Sequence, residues 1–376
     1  MQSENIRITF GGAEIPQVYD DLVALEIELD DELTGMFRMK LALLLDSDGA
    51  WNYLDDDRFA LWQKVVITAG LDDDSPQLIA GHITHLRPDF GAGLEQCVLE
   101  IWGMDAGALM DRVDRLRDFS NKRDSDIATL LFKENHLTPR VTDTEIVHDE
   151  KVSTIIQRET DMQLLRRLAL RNGFECWVDG DVGYFGPPGL AGDPQPVLAV
   201  QFGDETTVSR FSLQVNGFAT TDVAMHQIDH LSGELLEATA DSASEDEMGS
   251  SLSNEFLPAG VPPGRVIVAQ TVTTGAPEMT ALAQGLYDDG SWFVTGEGDV
   301  IANDYETVLK PRATVTIKGI GETYSGVYYV THVTHCFTPD GYQQHFKVKR
   351  NALGTTGTEN FGGDGGGLLG ALAGAL

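Results

Sequence analysis

The sequence predicts a mainly β fold with an α+β insert. Three observations carry that expectation. Apolar and polar residues alternate with period two through residues 1–105 and again through 201–354. Helical spacing of apolar residues is concentrated between them, in 106–200. Gly, Pro and Asp clusters break the alternating runs at the short intervals expected of sandwiches and barrels.

In residues 1–105, Ile6-Arg7-Ile8-Thr9-Phe10 alternates and stops at Gly11-Gly12. Leu25 to Leu29 alternates before the acidic turn Asp30-Asp31, and strands are expected at 37–45, 64–69, 78–86 and 96–102. Asp72-Asp73-Asp74 and Pro88 to Gly93 read as hairpin turns, and Asp55 to Trp62 as a short helix. In residues 106–200, Ala106 to Arg117 reads as helical. Asp124 or Ser125 can cap a helix whose apolar face holds Ile127, Leu130 and Leu131. The clearest helix is Thr160 to Asn172: Met162, Leu165, Leu168 and Ala169 form one stripe, acids lie at its start, arginines toward its end, and Gly173 follows as its stop. A hairpin is expected next, through Phe174–Val178 and Val182–Phe185.

In residues 201–354, alternation returns at 210–218 and 221–229, a helix is expected at 277–288, and a strand at 293–300. Asp241 to Glu255 (DSASEDEMGSSLSNE) has the composition of a mobile acidic loop. The last part, from Ala313 to Lys349, reads as a three-stranded antiparallel meander, with Pro339-Asp340-Gly341 as a turn. Its final strand puts Tyr342, Phe346 and Val348 on one face and His345, Lys347 and Lys349 on the other. Residues 355–376 read as a flexible Gly-rich tail. Its apolar end, with Leu368, Leu369, Leu372 and Leu376, is expected to dock a partner.

Composition limits the function classes. The formal net charge of −33 argues against nucleic-acid binding, which needs a basic surface. The acidity fits either a high-salt cytoplasm or a soluble protein that avoids early association. No apolar run is long enough to span a membrane, and the N-terminus lacks a signal-peptide pattern, so synthesis in the cytoplasm is expected. Cys97, Cys176 and Cys336 are far apart in apolar contexts and read as free buried thiols.

No catalytic constellation emerges. His226 and His230 have the spacing of a helical zinc motif, but Gln227 stands where a general base is needed, and the local pattern is that of a strand. His332, His335 and His345 fall on one hairpin, where sheet hydrogen bonding or core filling competes with metal binding. Gly296-Glu297-Gly298 and Gly319-Ile320-Gly321 lack the strand–helix context of phosphate loops. No catalytic, cofactor or metal residue is assigned.

Two stretches carry a family resemblance. The first is Leu309-x-Pro311, Val315-x-Ile317, Gly319-x-Gly321, Tyr324-Ser325-Gly326-x-Tyr328-x-Val330, His335, Gly341-Tyr342 and Arg350-Asn351. The second is Ile156-Gln157-Arg158-Glu159-Thr160-Asp161, then Leu164 to Ala169 and Asn172-Gly173-Phe174. Taken in chain order they resemble the phage late control D family of baseplate hub proteins, which is related to the hub half of type VI secretion spike proteins. The resemblance implies two tail-tube-like β-barrels flanking a small α+β domain, with no enzymatic activity. It further implies a homotrimer that adapts a sixfold tail tube to a threefold spike made as a separate chain. Other baseplate proteins, a tape-measure protein or cargo would be further partners. A strongly acidic channel lining is expected to keep cargo or DNA from sticking. Two other readings stay open: a tail-associated peptidoglycan hydrolase, and a receptor- or glycan-binding tail protein.

Overall fold

Strand Gly326–Thr338 organises the molecule. Its residues are β-branched or aromatic at most positions, which suits a pleated strand buried on one face. One edge pairs antiparallel with Gly341–Arg350. The other edge is divided. Gly326 to Val330 pair with Ala313–Lys318, and His332 to Phe337 pair with Leu22–Asp30. The change of partner falls at Thr331, where the register on the opposite edge also slips, as at a bulge.

The computed structural model describes residues 5–70, 75–219, 222–229, 231–268 and 271–362. Among them, the divided edge fuses both strand-rich halves into one sheet. From the Leu22–Asp30 side the sheet continues through Met36–Ala42, Val98–Asp105, Gln77–Asp89, Lys64–Gly70, Asn5–Phe10 and Ala13–Glu14. From the Gly341–Arg350 side it continues through Val294–Ile301 to Val208–Val215. Gln195–Ala199 adds a parallel strand beside Ala313–Lys318.

Two apolar cores lie against this sheet. One gathers Ile8, Phe10, Ile27, Phe37, Ile67 and Ile101 from the first half, and receives Phe337 and Tyr342 from the second. The other gathers Val294, Val315, Ile317, Tyr328, Val333 and Phe346. The same long strand thus feeds both cores. Each fully buried side chain of this size contributes about 1.5–3 kcal/mol.

The insert is built on its polar signature. Gln157 is fully buried: its Oε1 accepts from Arg117 Nε (2.8 Å), and its Nε2 donates to Asp161 Oδ1 (2.8 Å) and to the Glu159 carbonyl (3.2 Å). Thr160 caps helix Asp161–Leu170 by accepting from Gln163 N (3.2 Å), and the Gln163 side chain returns the bond to Thr160 N. Gly173 follows with φ +67°, the left-handed stop that its position requires. Helix Asp124–Glu134 lies beside it, starting after Arg123. The helix expected from Ala106 to Arg117 is replaced by the four-residue helix Gly107–Met110 and strand Arg115–Phe119. That strand pairs with Ile155–Glu159 and sets Arg115 and Arg117 against the buried Asp161 (3.2 and 3.5 Å), a tertiary contact that overrides local propensity. Likewise, Asp55 to Trp62 holds only a 3-10 turn, Asp57–Phe59.

The strand expected at 221–229 and the helix expected at 277–288 belong to a further unit. Strands Asp222–Ile228, Leu235–Ala240 and Arg265–Val268 form a separate sheet against helix Ala276–Gly290.

The acidic stretch read as a mobile loop is irregular but tied down. Ser244 N and Oγ donate to Asp288 (3.0 and 2.5 Å), and Met248 N donates to Asn351 Oδ1 (2.9 Å). Ser250 and Ser251 amides donate to the Leu353 carbonyl. The Gly-rich tail is also anchored in its described part, where Phe361 is buried against Ala199 and Phe202, after a local turn in which Glu359 accepts from the Thr356 and Gly357 amides. Composition hid both anchors, because single residues make them.

Arg350 is the centre of this anchoring. It is fully buried, and its guanidinium donates to the carbonyls of Met248 (3.0 and 2.6 Å), Tyr324 (3.3 Å), Ser325 (3.5 Å) and Gly354. Gly326 leaves it room: φ is +148°, and a Cβ there would come within 2.5 Å of Arg350 Nη2. Arg350→Met is expected to lower unfolding free energy by about 3–5 kcal/mol, because several buried carbonyls lose their donor together. Arg350→Lys is expected to recover less than half of that, since an ammonium cannot reproduce the planar fork. Chemical denaturation midpoints check both; full rescue by lysine would contradict the account.

Candidate functional site

The partner change at Thr331 opens a fork in the sheet, and a charged cluster fills it. Asp31 N donates to the Thr331 carbonyl (2.8 Å) on one side of the fork, and Arg312 N donates to the Val330 carbonyl (2.8 Å) on the other. Arg312 takes φ +61° to enter its strand, and its guanidinium donates to the Asp30 carbonyl while lying 4.2 Å over the Trp177 ring. Burial opposes its charge, and Glu175, Asp105 and Asp31 offset that cost.

The insert is fastened at the same place. Tyr329, fully buried in the long strand, donates to Glu175 Oε2 (2.7 Å) in strand Glu175–Asp179. Lys349 donates to Asp31 Oδ2 (3.0 Å) and sits 4.8 Å from the Trp292 ring. Asp105 closes the rear, accepting from the Gly35 and Gly107 amides (2.7 Å each). Burial pushes the Asp105 carboxyl up to about 6 and the Glu175 carboxyl up to about 7.

Outward from the fork, the sheet presents a polar face whose residues are paired by register. One row runs Ser212, Glu297, Lys347, His332 and Asp30. The next runs Arg210, Asp299, His345, Thr334 and Glu28. Further across, Arg38 Nη2 contacts Glu100 Oε1 at 3.0 Å, and Arg87 stands at 3.7 Å. Lys347 and Arg210 stand among Glu297, Asp30, Asp299 and Glu28 in these rows, so this face is mixed rather than uniformly acidic.

The histidines take separate partners. His332 bonds Asp30 (3.0 Å) and Thr334 (2.9 Å), and His345 bonds Asp299. His335 is fully buried beside the Tyr342 hydroxyl (2.8 Å), and burial pushes it down to about 3, so it stays neutral. His226 faces Glu237 (3.1 Å) on a strand, while His230 lies outside the described residues. All three cysteines are free; Cys97 and Cys176 are buried and Cys336 is half-buried. The expected docking residues Leu368, Leu369, Leu372 and Leu376 also lie outside the described residues. Sequence reading missed the fork cluster because its members are scattered from Asp30 to Lys349. The signals that could have found it are Arg312 before a strand and Lys349 on the last one.

The family model described as the Alg8 N-terminal domain matches residues 2–338. The chain belongs to that family. It is not the late control D family that the two motif stretches resemble. No curated protein matches the chain by sequence.

The fold is shared with tail proteins. The 43 kDa tail protein of prophage MuSo2 from Shewanella oneidensis superposes with a TM-score of 0.65 at 15% identity, over 93% of this chain and 100% of that one. A tail protein of Neisseria meningitidis gives 0.66 at 15%, over 93% and 97%. An Escherichia coli component of the type VI secretion system, itself similar to T4 tail proteins gp27 and gp5, gives 0.56 at 12%, over 91% and 76%.

The raised pKa of Glu175 makes a pH prediction. The folded state holds its proton to about 7, whereas the unfolded chain releases it near 4.5, so this group lowers stability as pH rises between those values. Glu175→Gln removes that loss. Its stability relative to wild type is expected to rise through the same window, by about 1–3 kcal/mol in total. A difference that stays flat between pH 4.5 and 8, read by denaturation, would contradict the assignment.

Proposed function

We propose that the chain is a structural hub of a contractile tail or injection particle, made in the cytoplasm and assembled into the particle as a homotrimer. The observation that carries this reading is the fused sheet. Two strand-rich halves joined edge to edge in one chain give three such chains six similar units, which is what an adapter between a sixfold tube and a threefold spike needs. The likeness in fold to tail proteins over 93% of the chain supports it, as do the two motif stretches that resemble late control D hubs.

In this reading each half acts as a tail-tube-like barrel, with 1–105 and 201–354 as the two units and 106–200 as the insert. Heterologous contacts between protomers close the ring. The polar face lines the channel, so passage of cargo depends on paired, mutually satisfied charges rather than on uniform acidic repulsion. Tail tube protein, a spike and other baseplate proteins are the partners, and the role is structural, not enzymatic.

The mass of the isolated protein in solution tests the proposal. Light scattering is expected to give three times the 40.9 kDa chain mass. A stable monomer at micromolar concentration would contradict it.

A further inference from the structure

Beside the fork lies a pocket of about 440 Å³, where the sheet, the insert and the last turn of helix Ala276–Gly290 meet. Its walls are apolar: Leu170, Phe174, Pro188 and Trp292 line it. Its charge is negative and largely unpaired. Lys349 is committed to Asp31 (3.0 Å). Arg167 is committed to Glu159 (2.7 Å), and Arg166 donates to Thr34 (3.1 Å) and faces Asp111 (3.8 Å). Among the described residues, Glu32, Glu245, Asp288 and Asp289 have no ion-pair partner within 4.0 Å.

Two independent features point the same way. Glu175 Oε1 is out of solvent contact and has no hydrogen-bond partner, although its other oxygen is bonded to Tyr329. Two helix C-termini also converge here. Ala169, Leu170 and Gly173 end one helix, and Asp288 and Asp289 lie in the last turn of the other, which carries no basic residue. The two ends touch where a Cβ on Gly285 would come within 2.7 Å of Gly173 N. Each end adds the field of about half a negative charge.

We propose that this pocket receives the side chain of an arginine or lysine presented by a partner polypeptide. The apolar walls suit the methylene stem, and the carboxylates suit the cationic head. The volume and the aromatic lining fit an organic cation better than a bare metal ion. A peptide also brings carbonyl oxygens, which can satisfy the second unpartnered polar atom of the pocket wall, Arg166 Nε. The pocket lies within one chain, so the proposal stands apart from the number of subunits.

Fluorine NMR of the full chain labelled with 5-fluorotryptophan tests it, with the Trp292 signal assigned by Trp292→Phe. Acetyl-Gly-Arg-Gly-amide, or the lysine equivalent, is expected to shift that signal saturably, while the citrulline peptide of the same shape binds at least about tenfold more weakly. The double variant Glu245→Gln, Asp289→Asn changes a half-buried and an exposed position, so folding should survive. It is expected to weaken the arginine peptide about tenfold or more. Equal binding of citrulline, or undiminished binding by the double variant, would overturn the proposal. Saturation by spermidine with no response to either basic peptide would also overturn it, and would assign the pocket to a free polyamine.

Discussion

The divided edge of strand Gly326–Thr338 is the constraint on which the rest of the fold depends. Its first residues hold Ala313–Lys318 and its later ones hold Leu22–Asp30, so residues about three hundred positions apart share one hydrogen-bond ladder. A slip of one residue would turn Val333 and Phe337 out of their cores and His332 and Thr334 into them. The two cores therefore fix the register, and the register fixes which charges meet on the polar face.

A fork in a sheet leaves backbone groups and a gap that apolar side chains alone fill badly. Here Arg312 and Lys349 fill it, and Asp30, Asp31, Asp105 and Glu175 answer them. Such clusters are costly to bury and often add little net stability, but they tolerate few alternative arrangements. The same logic holds at Arg350, whose fork gathers carbonyls from three chain segments. Both clusters set geometry where the strand pattern by itself would allow several.

Much of this was legible in the sequence because it rests on local periodicity. Alternation revealed the final meander and the faces of Tyr342 to Lys349, and helical spacing with Gly173 revealed helix Asp161–Leu170. The motif residues were visible too, though not their reason: Gln157, Asp161, Gly326 and Arg350 turn out to be internal fasteners. What stayed hidden was long-range. The pairing of Leu25 with Phe337 leaves no local trace, and Arg115-Leu116-Arg117 reads as helix until Asp161 is brought beside it. Arg265–Val268 is only four residues long and exposed, too weak a pattern to suggest the third sheet.

The candidate site was less legible than the fold, because histidine spacing and a leucine-rich terminus are local patterns and the fork has none. The fork draws instead on acids and bases that look like ordinary surface charge. The most direct test of the central claim is amide hydrogen exchange of Leu22–Asp30 and Gly326–Thr338 in the isolated protein. One fused sheet predicts that the paired amides of both strands exchange only through the same, most stable opening. Fast exchange of Leu22–Asp30 while Gly326–Thr338 stays protected would show that the halves are separate units, and would contradict it.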